Sequence, residues 1–90
     1  MLDLAATPLP LRVTPPRSGD RFQPLGGTPQ RLAAFLSARS VPRLDRAHWP
    51  LVRDAGGAIV WVAGVEIAHT SRITDATSEV LVLESRPRAP

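Results

Sequence analysis

Residues 17–27, Arg-Ser-Gly-Asp-Arg-Phe-Gln-Pro-Leu-Gly-Gly, constrain the fold more than any other stretch of this chain. Gly19-Asp20 reads as a turn and Pro24 to Gly27 as a second bend, with a short extended piece at Arg21-Phe22-Gln23 between them. The segments on either side must therefore be separate elements. Before it, Leu9, Leu11 and Val13 alternate with Pro10 and Arg12, the pattern of a short strand that Pro15 and Pro16 end. After it, Thr28 is placed as a helix N-cap and Pro29 as the first helical residue. Leu32, Phe35 and Leu36 then fall at i, i+3 and i+4 on one apolar stripe. This spacing predicts a helix from Pro29 to Arg39, with Arg39 in the last turn, where the dipole favours a cation.

The remaining elements follow from turn chemistry and periodicity. Leu44 to Ala47 suits a single helical turn. Pro50 to Arg53 reads as a strand, Asp54-Ala55-Gly56-Gly57 as a strong turn, and Ala58 to Ala63 as a continuous apolar strand buried on both faces. Gly64 breaks or bulges that strand, and Val65-Glu66-Ile67 continues it or starts another short strand. Residues 69–77 are a polar loop. Val80 to Leu83 lie in a last strand over residues 78–85, and Arg86 to Pro90 form a solvated tail. Met1 to Pro10, rich in Pro and small residues, is a linker or lead-in segment, extended or disordered. About five strands and one helix, without β-α-β alternation, predict an α+β fold with a small mixed or antiparallel sheet, spanning residues 11–85.

Ninety residues make one small domain. Such a chain buries about 60–65% of its unfolded surface, too thin a core for a deep cleft between lobes. No cysteine is present, which excludes disulfides, thiolate metal sites and cysteine nucleophiles. The first ten residues lack the basic and apolar regions of a signal peptide, and no apolar run approaches a membrane span. A cytoplasmic protein without a membrane partner is the expectation.

The net charge is +3 and all 11 basic residues are Arg. Codon usage alone can replace Lys by Arg, so placement has to decide. Six of the 11 lie between positions 17 and 46: Arg17, Arg21, Arg31, Arg39, Arg43 and Arg46. They flank the single helix, where they suit a continuous basic face for a phosphate backbone. The competing reading is a solvated face on which Asp20 and Asp45 neutralise Arg21 and Arg46.

Catalytic signals are lacking. Gly26-Gly27 precede a helix start, but without a P-loop fingerprint they are better read as a tight turn. His48 and His69 have no third ligand at metal spacing, and Ser37, Ser40 and Ser71 no nucleophile context. Trp61 belongs to the apolar strand. Trp49 suits either a lid on the core or a stacking platform for a base, the core being favoured.

Gly19-Asp20-Arg21-Phe22-Gln23-Pro24 resembles the GDRF-x-P motif of the carboxy-terminal domain of tRNA(Ile)-lysidine synthetases. Val41 to Leu51 resembles that domain's "Pro, then Arg, then Pro-Leu" connector. Ile59 to Ile67 resembles its strand followed by Gly, a polar residue and Ile. Leu32 and Phe35 fall on its helix face. The resemblance runs from about Val13 to Leu83, and it departs where Leu32-Ala33-Ala34 stand in place of paired Lys.

The resemblance implies an accessory tRNA-docking domain of an ATP-dependent ligase that joins lysine to an anticodon cytidine. The phosphate loop of the catalytic domain is absent from this sequence, so ATP and Mg belong to that other domain, and no cofactor or metal is expected in this chain. The implied partners are tRNA, on its acceptor-stem side, and other domains of the parent enzyme. The implied fold is similar to a domain of the phenylalanyl-tRNA synthetase β subunit, a layered, sandwich-like arrangement. Arg21 and Arg46 match recurring family positions, and Arg31 falls where the family helix is often basic. Arg39 and Arg43 join them as RNA-binding candidates by placement alone. The alternative is a structural or dimerisation domain without RNA contact, pairing as a homodimer through the edge of Val80 to Leu83.

Overall fold

The computed structural model describes residues 1–84, so the tail expected over Arg86–Pro90 lies outside the described residues. The Cα radius of gyration is 13.0 Å. The strands are β1 (Leu2–Asp3), β2 (Arg12–Thr14), β3 (Arg21–Phe22), β4 (Gln30–Arg31), β5 (Leu51–Arg53), β6 (Ile59–Val62), β7 (Glu66–Ile67) and β8 (Val80–Leu81). The helices are α1 (Leu32–Ala38) and the single turn α2 (Arg43–Arg46), with a 3-10 turn at His69–Ser71. All ladders are antiparallel: a four-stranded sheet in the order β2-β5-β6-β7, and two ribbons, β1-β8 and β3-β4. The α+β expectation holds, with more and shorter strands than the sequence pattern resolves.

The central sheet carries a core on each face. Leu51, Ile59 and Val62 pack with Phe22, Leu32, Phe35, Leu36 and Val41 from β3, α1 and the connector. Val52 and Val60 pack with Leu2 of β1, and Leu81 of β8 joins them. An odd spacing normally places two strand residues on opposite faces. Ile59 and Val62 nonetheless reach the same cluster, because the ladder pairs Val52 with Trp61 and Arg53 with Ile59, skipping Val60. That bulge shifts the phase of β6. Trp61 is accordingly half-buried against the second cluster instead of central.

Two local expectations are corrected. The helix starts at Leu32, not Pro29. Gln30 and Arg31 are extended and pair with Phe22 and Arg21, and the Leu32 N–H donates to the Asp20 carbonyl at 2.9 Å. Strand pairing satisfies these backbone groups better than a first helical turn, whose amides have no intrahelical acceptor. The lead-in segment is partly ordered: β1 pairs Leu2 with Leu81 and Asp3 with Val80, and Leu2 and Thr7 are buried. The same pairing occupies one edge of β8.

The end of α1 shows how the chain turns back toward the sheet. The Ser40 N–H donates to the Ser37 carbonyl and the Val41 N–H to the Leu36 carbonyl, while Val41 joins Leu36 in the core. This is a Schellman arrangement. It places Ser40 at φ 58°, a left-handed conformation that a side chain disfavours. Ser40→Gly is therefore expected to stabilise the domain by about 1 kcal/mol, raising Tm by about 4–8 °C in a calorimetric melt.

Candidate nucleic-acid interface

The stretch Gly19-Asp20-Arg21-Phe22 sends successive side chains to three different tasks. Gly19, at φ 81°, makes the turn in which the Asp20 N–H donates to the Arg17 carbonyl at 3.2 Å. Phe22 enters the core, 3% exposed. Arg21, adjacent in the same strand, must point to the opposite face and is exposed.

Asp20 turns to Arg53, which follows Leu51 along β5 onto the same face of the sheet. Arg53 Nη1 and Nη2 donate to Asp20 Oδ1 and Oδ2 at 3.1 and 2.6 Å, a bidentate pair. Its Nε donates to Thr14 Oγ1 at 2.7 Å. The Arg17 N–H donates to Asp20 Oδ2 at 2.6 Å. Burial alone would raise the pKa of Asp20. The Arg53 hydrogen bond, the Arg17 N–H and the charges of both arginines outweigh it and hold the carboxyl below its ordinary value of 3.8. The ion pairs expected from Asp20 to Arg21 and from Asp45 to Arg46 do not form. Asp20 is taken by Arg53, 33 residues away, and Arg46 instead donates Nε to the Val41 carbonyl at 3.0 Å.

With Asp20 engaged, Arg17, Arg21 and Arg31 are exposed to solvent, while Arg46 is half-buried with its Nε on the Val41 carbonyl. An open cavity of about 680 Å³ is lined by Arg17, Arg21, Arg31 and Arg46. Ala33 and Ala47 supply exposed apolar surface over the buried Leu32 and Leu36, and Asp20 is its only acid. Within the β3-β4 ribbon Arg21 stands directly opposite Arg31. Like charges in that position repel. Among the described residues neither Arg21 nor Arg31 has an acidic partner, since the only ion pairs are Arg53–Asp20 and Arg39–Glu66. An anion between them removes the repulsion.

The other candidates are dispersed. Arg39 leans over the Phe35 ring, 5.1 Å from its centroid, and bonds Glu66 Oε2 at 3.3 Å. That cation–π contact and ion pair hold it to the protein. Arg43 is exposed on α2 and does not line the cavity. Trp49 is the lid on the core, its indole Nε1–H donating to the Ala63 carbonyl at 3.1 Å. Sequence reasoning missed Arg53, whose only local signal is a charged residue ending a buried strand. It grouped Arg17 with the basic cluster without selecting it as a site residue, although Arg17 shares a turn with Asp20.

Residues 11–83 match the sequence profile of the TilS substrate C-terminal domain family. The chain belongs to that family.

Among curated relatives of this TilS-type domain, tRNA(Ile)-lysidine synthase of Geobacillus kaustophilus is 43% identical over 68 residues, covering 73% of this chain and 14% of that protein. The namesake in Bacillus subtilis is 29% identical over 79 residues, covering 86% and 16%. The chain thus spans about one seventh of the length of the curated relatives it matches. A crystal structure of a TilS C-terminal domain superposes with TM-score 0.70 at 36% identity, over 80% of this chain and 56% of that one. An N-terminal fragment of the phenylalanyl-tRNA synthetase β subunit from Pyrococcus horikoshii shares the fold, with TM-score 0.69 at 21% identity, over 84% and 24%. The TilS motif residues therefore divide their work: Asp20 and Phe22 build the domain, while Arg21 is presented outward.

Proposed function

We propose that this chain is the tRNA-docking domain of a tRNA(Ile)-lysidine synthetase. The observation that carries the reading is the opposed Arg21–Arg31 pair, without acidic partners among the described residues, in a cavity that Arg17 and Arg46 also line. Four arginines lining one cavity, beside an acid already paired with Arg53, suit phosphate oxygens, which guanidinium forks bind in bidentate fashion. Contacts of this kind position an RNA by its backbone and shape and carry little base information. In this reading the domain holds tRNA on its acceptor-stem side and acts in the cytoplasm. ATP, Mg and the ligation of lysine to the anticodon cytidine belong to a catalytic domain beyond these residues. Among the described residues no group of His, Asp and Glu is placed to hold a metal, and no helix is long and apolar enough to cross a membrane.

The test is tRNA binding as a function of salt, with the 90-residue chain and with the parent enzyme with and without it. The double variant Arg21→Ala/Arg31→Ala is expected to weaken binding equally for tRNAs of different sequence. It should lower the slope of log affinity against log salt by about 2, one for each lost phosphate contact. An unchanged slope, together with a mass that doubles with concentration, would instead establish the dimerisation reading.

A further inference from the structure

The cavity is larger than backbone docking requires. A duplex backbone presents phosphates along a ridge, and exposed arginines on a flat or convex face suffice to meet them. Here the same arginines line a concavity of about 680 Å³. That lies within the roughly 300–1,000 Å³ of clefts that hold small organic ligands, and it far exceeds what a lone phosphate fills. Its chemistry is also mixed. Ala33 and Ala47 are its exposed apolar lining, while Leu32 and Leu36 lie beneath them in the core at 2% exposure. A site that bound phosphate oxygens alone would have no use for apolar wall.

Charge and apolar surface are arranged as one nucleotide needs them. The β3-β4 register fixes Arg21 and Arg31 side by side, so that both reach a single phosphate from one ribbon. Exposed Ala33 stands two residues after Arg31, so the apolar surface begins where the charged pair ends. Asp20, the only acid in the lining, has both carboxylate oxygens on Arg53 and its carbonyl on the Leu32 N–H, so its charge is already paired within the fold. A base paired inside a duplex cannot enter such a space, because its faces are stacked and its edge is bonded to the opposite strand. An unpaired base can, with an arginine plane or aliphatic side chains against its face.

On this basis, and resting on the docking role proposed above, we infer that the cavity takes one unpaired nucleotide of the bound RNA. Its phosphate lies between Arg21 and Arg31 and its base lies against Ala33 and Ala47. The domain then recognises a junction between duplex and single strand, not a duplex alone.

Two RNA hairpins test this, identical in stem and in the number of phosphates of a two-nucleotide 3′ overhang, one with normal overhang bases and one abasic. Affinities are measured by fluorescence anisotropy at several salt concentrations. The normal overhang is expected to bind roughly tenfold more tightly, the scale of one base-stacking contact, with equal salt slopes for the two. Ala33→Trp, an exposed position where bulk enters the cavity without entering the core, is expected to bring the two affinities together. Equal affinities in the wild-type chain, with steep salt dependence retained, would overturn the nucleotide pocket and leave backbone docking standing. Salt-insensitive or absent binding of both hairpins would overturn docking and the pocket with it. If Ala33→Trp does not fold, the wild-type comparison decides alone.

Discussion

Asp20→Asn is expected to destabilise the domain by about 3–5 kcal/mol, the cost of leaving one member of a buried ion pair without its counter-charge. Arg53 is 6% exposed and cannot turn to water. Its remaining partners, Thr14 Oγ1 and the Gly57 carbonyl at 3.4 Å, are neutral. Domains have about 5–15 kcal/mol of total stability, so the loss is a large share. It should appear as a fall in Tm of roughly 12–40 °C, given about 4–8 °C per kcal/mol at this size. A double-mutant cycle separates the pair from its surroundings. Asp20→Asn combined with Arg53→Met removes both charges, and the combined loss is expected to be well below the sum of the single losses. Additive losses, or a single-variant cost under about 1 kcal/mol, would remove the ion pair as the element that fixes this turn.

The pH dependence follows from the same carboxyl. Its pKa is lowered in the folded protein, so its contribution is complete above the ordinary carboxylate value of 3.8. It is lost as pH falls below that value through the lowered folded one. The wild-type urea midpoint should therefore decline below about pH 4 more steeply than that of Asp20→Asn, and the two should run parallel near neutrality.

These expectations concern contacts that a single sequence conceals. The hairpin of β5 and β6 is legible because Asp54-Ala55-Gly56-Gly57 is a turn between apolar runs, and pattern and structure coincide there. The stripe Leu32-Phe35-Leu36 is legible for the same reason, as period and burial agree. The helix start is not. Thr28-Pro29 carries correct local signals, but β3 lies ready to pair with residues 30–31, and a tertiary ladder outweighs a capping preference. The strand at Leu2–Asp3 depends on Leu81, nearly the whole chain away, and nothing near Leu2 announces it.

The candidate site divides in the same way. Arg21, Arg31 and Arg46 were identifiable as a group, and the structure brings them to one cavity with Arg17. Arg39 was not separable from them, because its diversion to Phe35 and Glu66 depends on where β7 passes. Arg53 was invisible because its partner lies in another element. Local sequence reports which arginines are near one another along the chain. The sheet decides which of them are neutralised, and that distinction separates a scaffold arginine from one free to meet an anion.

Phe22→Ala should be about as damaging as the loss of Asp20, and by a different route. The Phe22 ring meets Phe35 edge to face, with centroids 4.9 Å apart and planes at 64°. It is the residue by which β3 enters the core cluster shared with α1 and the central sheet. Truncating a buried Phe to Ala costs about 3–5 kcal/mol in lost burial and cavity formation. Of this, about 0.5–1.5 kcal/mol is specific to an aromatic pair. Phe22→Leu retains most of the apolar volume and is expected to lose less than half as much. The consequence for the interface is local. β3 is two residues long and pairs only with β4; Asp20 ties its start to Arg53 and the Gln23 carbonyl its end to the His69 N–H, and Phe22 is the one side chain that anchors the strand itself in the core. Hydrogen exchange resolves this: the Leu32 amide, which donates to the Asp20 carbonyl, should lose protection in Phe22→Ala at conditions where amides of the β5-β6 ladder keep theirs. Equal loss of protection in both places would mean that β3 unfolds only with the whole domain, and that the arginine pair is held by more of the fold than the one aromatic anchor beneath it.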